Sequence, residues 1–297
     1  MIQSFLKPAS SSKENKPTIA LECNFARKTQ NTPNGNAQKY ICHVYEIGGD
    51  LVDSRLLDVV LTKDSLPNAR VMLCLDGSKP HNLIINLLRY MTLLKEHVGK
   101  KVAEIQASNV NIVNSMRAAI SALYTTSAAA PQQGEGAAEG GDGKPHKDLQ
   151  RIRPLECQIW VVVSKFESFK QLHVGERRLL LQALRFVAHY FGLGLLCVGQ
   201  DGASREMYRT LVGSLAFGQA VRPSLELGDK AVLVTRGSDS FEQLLLGDKA
   251  DRDRSAEEAA GGSGGGKGGV RYRMVASEAE IEQFLSSKGV TRDCWKK

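Results

Sequence analysis

The spacing of apolar and polar residues changes period several times along the chain, and each change marks an element. Thr18–Arg27 (TIALECNFAR) and Lys39–Ile47 (KYICHVYEI) alternate, and the turn-rich stretch Asn31–Asn36 (NTPNGN) lies between them. This predicts two strands paired as an antiparallel hairpin. Leu51–Leu66 has helical spacing. Arg70–Asp76 (RVMLCLD) and Gln158–Val163 (QIWVVV) are continuous apolar runs, the signature of strands covered on both faces of a parallel sheet, and Leu193–Val198 is a third strand. A helix beginning near Asn82 carries Leu83, Leu87, Leu88, Met91 and Leu94 on one stripe, and a further helix is predicted over Val110–Tyr124. Glu176–Phe191 gathers Leu179, Leu180, Ala183, Leu184 and Val187 on one face, Ser204–Phe217 reads as another helix, and an apolar stretch at Ala231–Thr235 closes the domain near Leu246. Strands alternating with helices at this spacing predict an α/β fold with a mostly parallel, doubly wound sheet.

Composition divides the chain further. Between Thr126 and Asp148 it falls to Ala, Gly, Gln, Glu and Pro, too poor in large apolar groups to offset the entropy of ordering the backbone, so 126–148 reads as a disordered surface insertion. Residues 1–17 read as a loop, 18–246 as the domain, and 247–297 as a flexible linker with a short C-terminal helix at Ser277–Ser286, opened by Ser277 with Glu280 three residues on.

With 42% hydrophobic and 24% charged residues among 297, there is material for one core of about 200 residues. The six Cys never form a CxxC pair and most sit among apolar neighbours, so packed thiols are expected and no metal site is assigned. Neither a signal peptide nor a membrane span is present in these residues. The net charge of +7 is scattered among comparable acids, with no basic cluster interleaved with aromatics, so no nucleic-acid partner is assigned; a basic surface suits an acidic partner. The six His are isolated in sequence, and no catalytic residue is assigned.

Ligands of doubly wound sheets bind at the carboxyl ends of the strands, so those loops are where chemistry would lie. Three resemble the loops of small GTPases. Glu46-Ile47-Gly48-Gly49 stands where a DxxG motif would, with Glu46 replacing the acid that holds the Mg²⁺ water shell and Gly49 in the place of the γ-phosphate contact. Ser164-Lys165-Phe166-Glu167 resembles NKxD, with Ser164 for the Asn, Lys165 retained along the base and Glu167 for the acid that reads guanine. Thr18 stands for the switch threonine. Yet no GxxxxGK[ST] occurs in the 297 residues, and that loop supplies the main phosphate anchor. At most a vestigial GTP site is expected, and no cofactor.

Seven segments in order, KPTIALE (16–22), EIGGD (46–50), LCLDGSKP (73–80), VVSKFESF (162–169), LRFVAHYFG (184–192), SLAFG (214–218) and VLVTRGSDSFEQL (232–244), resemble the dynein light intermediate chains, most closely the ciliary branch of cytoplasmic dynein 2. The resemblance implies a Ras-like, P-loop NTPase-type domain without enzyme activity. It implies docking on the dynein 2 heavy chain beside other dynein 2 subunits, indirect contact with microtubules, retrograde intraflagellar transport and cilium or flagellum assembly. The implied locations are the cytoplasm, cilium or flagellum, basal body, axoneme and cytoskeleton. The docking face is expected on helices flanking the sheet. Measured against the family, this sequence lacks the first strand and the phosphate loop: Met1–Leu6 aligns with the end of the helix after that loop, so 1–17 reads as the end of a truncated first βα unit and the chain is expected to be N-terminally incomplete. The missing strand would lie centrally, leaving a gap between Lys39–Ile47 and Arg70–Asp76 of about two interstrand spacings. The alternatives are a transport GTPase of the Rab or Arf kind and a generic adaptor working through its C-terminal helix.

Overall fold

The protein is described by a computed structural model over residues 17–31, 37–48, 54–124, 146–218 and 232–246. The predicted loop at 1–16, Gly49, most of the insertion, Cys294 and the C-terminal linker and helix lie outside these residues.

Strands β1 (Leu21–Asn31) and β2 (Ala37–Ile47) pair antiparallel from Leu21↔Ile47 to Asn31↔Ala37, the hairpin that the alternation predicts. They form a sheet of their own. The second sheet has the order β3-β4-β5-β6. Its strands β3 (Arg70–Asp76), β4 (Gln158–Ser164) and β5 (Gly194–Cys197) run parallel, and β6 (Val232–Val234) returns antiparallel on β5. The central strand β4 shows why a continuous apolar run is required. Ile159, Val161 and Val163 enter one core, while Trp160 and Val162 enter the other, all of them buried.

The larger core is filled by five helices: α1 (Ser54–Val60), α2 (Leu83–Ser108), α3 (Val110–Ala122), α4 (Val174–Tyr190) and α6 (Phe241–Leu246). The predicted stripe Leu83, Leu87, Leu88, Met91 and Leu94 on α2 is buried in it. Helix α4 opens with a capping box, in which His173 Nδ1 accepts from Gly175 N and Glu176 Oε2 accepts from His173 N. Across the sheet, α5 (Gly202–Phe217) covers the second core with Tyr208, Leu211 and Val212. Helices on both faces of a mostly parallel sheet are the doubly wound arrangement expected.

No strand pairing joins β2 to β3 among the described residues, so each has an unpaired edge, and Cys74, in the middle of β3, is exposed.

The structure corrects four expectations. The helix drawn over Leu51–Leu66 is α-helical only at Ser54–Val60 among the described residues, because Thr62 and Ser65 hydrogen-bond each other's backbone and side chains in a turn before a 3-10 turn begins at Leu66. Cys23 and Cys74 are exposed rather than packed. The insertion does not extend to Asp148, whose side chain is buried with two hydrogen-bond partners inside the domain. Two of the six His, apart in sequence, come together in space. No helix among the described residues is long and apolar enough to cross a membrane.

Candidate functional site

The residues singled out from sequence fall into two groups. At the mouth of the hairpin, Thr18 Oγ1 donates to Glu22 Oε2 at 3.2 Å, and Gly48 N donates to Ala20 O at 2.9 Å. The backbones approach so closely there that a β-carbon on Gly48 would lie 1.7 Å from Thr18 O, so the Glu46–Gly48 loop requires glycine at this position. Glu46 itself is half-buried at the end of β2. Gly49 is outside the described residues.

The second group gathers at the carboxyl ends of β3, β4 and β5. Ser164 Oγ donates to Leu75 O at 2.9 Å, and Gly77 N donates to Ser164 O at 2.9 Å, stitching β4 to β3 where both strands end. Lys165 then takes a left-handed backbone conformation, φ 52°, the one described non-glycine residue with positive φ. A lysine held there costs about 1 kcal/mol or more, and such strain is characteristic of loops shaped for a purpose. The turn aims Lys165 Nζ at Asp76 Oδ2, 3.0 Å away. Burial would raise the Asp76 carboxyl, but hydrogen bonds from Ser78 Oγ and Lys165 outweigh it, and with Ser78 N they hold it down at about 2. In this arrangement the lysine answers a carboxylate on its own sheet rather than lying free along a base.

Glu167 sits in the short 3-10 turn that follows (Phe166–Gln171). Its Oε2 is buried without a hydrogen-bond partner and lies 3.1 Å from where a β-carbon on Gly199 would be. Gly199 N donates to Ser204 Oγ at 3.1 Å, and Ser204 N and Oγ both donate to Asp201, which caps α5 and is lowered from its usual range by those bonds. The carboxylates of Glu167 and Asp201 thus converge on the β5–α5 loop, whereas Lys165 is committed to Asp76. Among the described residues no hydrogen bond or ion pair connects this group to Thr18 and Glu46. Three acids and one paired lysine make a polar cap on the sheet, in which the Ser78 and Ser204 hydroxyls donate to the carboxylates of Asp76 and Asp201.

Asp76, Asp201 and Ser204 were not singled out as site residues from sequence. The signal was there in the strand-then-turn runs LDGS and GQDGAS, which place acids at strand ends, but only the fold shows that the two runs flank the loop after β4 on either side.

The cluster that sequence reading missed is buried. His189 on α4 and Asp148 share a hydrogen bond, Nε2 to Oδ2 at 3.0 Å, and Phe241 N donates to the same oxygen at 2.8 Å. His146 Nδ1 accepts from Asp148 N at 3.2 Å, and its ring meets that of His189 edge-on at 5.4 Å. The potential metal-ligating atoms of His146, Asp148 and His189 lie within 4.8 Å of one another. Asp148 Oδ2 already accepts two hydrogen bonds and Arg151 Nη1 stands 4.0 Å from Asp148 Oδ1, so the set serves as a bracket tying the chain after 145 to α4 and α6. Burial would raise the Asp148 carboxyl, but the His189 and Phe241 N–H bonds lower it, whereas burial and the neighbouring His189 push His146 down.

Set beside known proteins, the chain is 29% identical over 232 residues to cytoplasmic dynein 2 light intermediate chain 1 of Homo sapiens, covering 77% of this chain and 60% of that protein. It is likewise 29% identical to the Rattus norvegicus protein of that name and 28% identical to that of Danio rerio, over 77% of the chain in each case and over 60% and 58% of the relatives. The chain thus spans about 60% of the length of these curated relatives. A crystal structure of the conserved domain of a dynein light intermediate chain superposes with TM-score 0.55 at 16% identity, covering 96% of this chain and 92% of that one. No protein-family model matches. The resemblance read from the seven segments therefore holds, and the α/β fold with its mostly parallel sheet is shared with the conserved domain of a dynein light intermediate chain.

Proposed function

We propose that this chain serves as the light intermediate chain of a dynein 2 motor, a subunit without catalytic activity that docks on the heavy-chain tail. There it supports retrograde intraflagellar transport and cilium or flagellum assembly, from the cytoplasm and basal body to the axoneme. The observation that carries this reading is the similarity to cytoplasmic dynein 2 light intermediate chain 1 along 77% of the chain. The local chemistry agrees with it. Lys165 is bound to Asp76, the acid of NKxD is a partly buried glutamate without a partner, and Asn is replaced by Ser164, which spends its hydroxyl on Leu75 O. These substitutions suit a framework kept for its shape, with at most a vestigial nucleotide site and no working cofactor. Microtubules are reached only through the motor. Affinity purification of the tagged protein from ciliated cells, followed by mass spectrometry and a GTPase assay, tests the proposal. Dynein 2 heavy chain in stoichiometric yield with no GTP turnover supports it; GTP hydrolysis with no motor subunit overturns it.

A further inference from the structure

The hairpin has its chemistry turned the wrong way round for a strand pair packed on a core. Its register places Cys23, Phe25, Arg27 and Thr29 of β1 opposite Tyr45, His43, Ile41 and Lys39 of β2, and all eight side chains on this face are exposed. Phe25 is 54% exposed, Ile41 59% and Tyr45 43%. The opposite face carries Glu22, Asn24, Ala26 and Lys28 against Glu46, Val44, Cys42 and Tyr40, and apart from Tyr40 these side chains are half-buried. That face is the one turned to the domain: Lys28 Nζ stands 5.9 Å from the Phe217 ring at the end of α5. A one-residue slip in register would exchange the two faces, yet the pairing holds from Leu21 to Asn31 with the large apolar groups outward.

We propose that this outer face is the heavy-chain docking surface, and that it receives an amphipathic helix whose apolar stripe is flanked by carboxylates; the proposal rests on the function argued above. Dimensions favour a helix. The face from position 23 to 29 is about 20 Å long and two strands wide, which a helix about 10 Å across covers with some 13 residues. Charge decides the flanks. Arg27, whose guanidinium lies 4.7 Å from the Phe25 ring centroid, and Lys39 are the formal charges on the face, and it carries no acid. A second copy of this chain would bring the same cations against one another, on a molecule of net charge +7, so self-pairing is disfavoured. Phe25 and Tyr45 supply the rigid aromatic area that anchors an interface, with Arg27 and Lys39 steering the acidic flanks.

The test co-expresses the full chain with the tail of the dynein 2 heavy chain and measures capture. Phe25→Asp with Ile41→Asp is expected to cut capture by about tenfold or more, and Arg27→Glu with Lys39→Glu to weaken it and flatten its salt dependence. Both variants change exposed positions, and melting temperatures equal to that of the unmodified chain establish that they fold. A photo-crosslinking residue at 41 is expected to mark a heavy-chain helix with flanking acids. Undiminished capture by both variants overturns the assignment of this surface and leaves the dynein reading standing, whereas no capture by the unmodified chain overturns both.

Discussion

In β4 the side chains of Ile159, Val161 and Val163 go into one core and those of Trp160 and Val162 into another, while in the hairpin Phe25, Ile41 and Tyr45 face solvent and Glu22, Asn24 and Lys28 turn toward the body. Both stretches are rich in residues that favour strands, so propensity does not separate them. What differs is the use of burial. The four-stranded sheet spends its apolar surface on holding the domain together, and the hairpin leaves its own free. Under the docking proposal the difference gives stability to one region and recognition to the other, and it can be broken region by region.

The largest effect is expected in β4. Val161→Asp puts an unpaired carboxylate between two layers and should abolish cooperative unfolding in urea; the milder Leu184→Ala should cost about 2–5 kcal/mol. Next comes the buried bracket. Asp148→Ala removes the acceptor of both His189 Nε2 and Phe241 N and is expected to cost about 3 kcal/mol by the same measurement, because two buried donors lose their partner.

The bracket also sets the response to acid. His146 is lowered in the folded state, so its contribution is present above the unfolded value of about 6.5 and is lost as pH falls below it. Asp148 is lowered as well, so its share is complete above the unfolded value of about 3.9 and disappears only on further acidification. Melting temperature should therefore fall in two steps on acidification, and His146→Gln should remove the first alone. A smaller effect is expected at the sheet ends: Lys165→Ala breaks a half-exposed pair with Asp76 and should cost about 1 kcal/mol or less, with heavy-chain capture unchanged. Phe25→Asp is expected to change stability least, within about 0.5 kcal/mol, while changing binding most. A large loss of stability there would erase the contrast between the two regions.

Much of this was legible along the chain. QIWVVV became β4, covered on both faces as its unbroken apolar run predicts, whereas RVMLCLD became β3 with only one face buried. Leu73 and Leu75 enter the core, but Met72 is half-buried and Cys74 exposed, against the expectation of a doubly covered strand. The hairpin was legible too, but alternation says only that two faces differ; which face turns inward depends on where α5 packs, and that is a property of the fold. The sheet-end loops could be placed by motif, whereas the Lys165–Asp76 pair joins residues 89 apart and needed the β3–β4 register to appear. Asp148 was lost because it follows a stretch of Ala and Gly, and composition averaged over a window cannot reveal one carboxylate that reaches His189, 41 residues on.

The central claim is that a nucleotide-switch framework works here as a docking block for a motor. It is tested most directly by isolating the tagged protein from ciliated cells and measuring, in the same eluate, heavy-chain content and GTP hydrolysis. The account predicts dynein 2 heavy chain at stoichiometric level and no turnover; a protein charged with guanine nucleotide, hydrolysing it and free of any motor subunit, would contradict it.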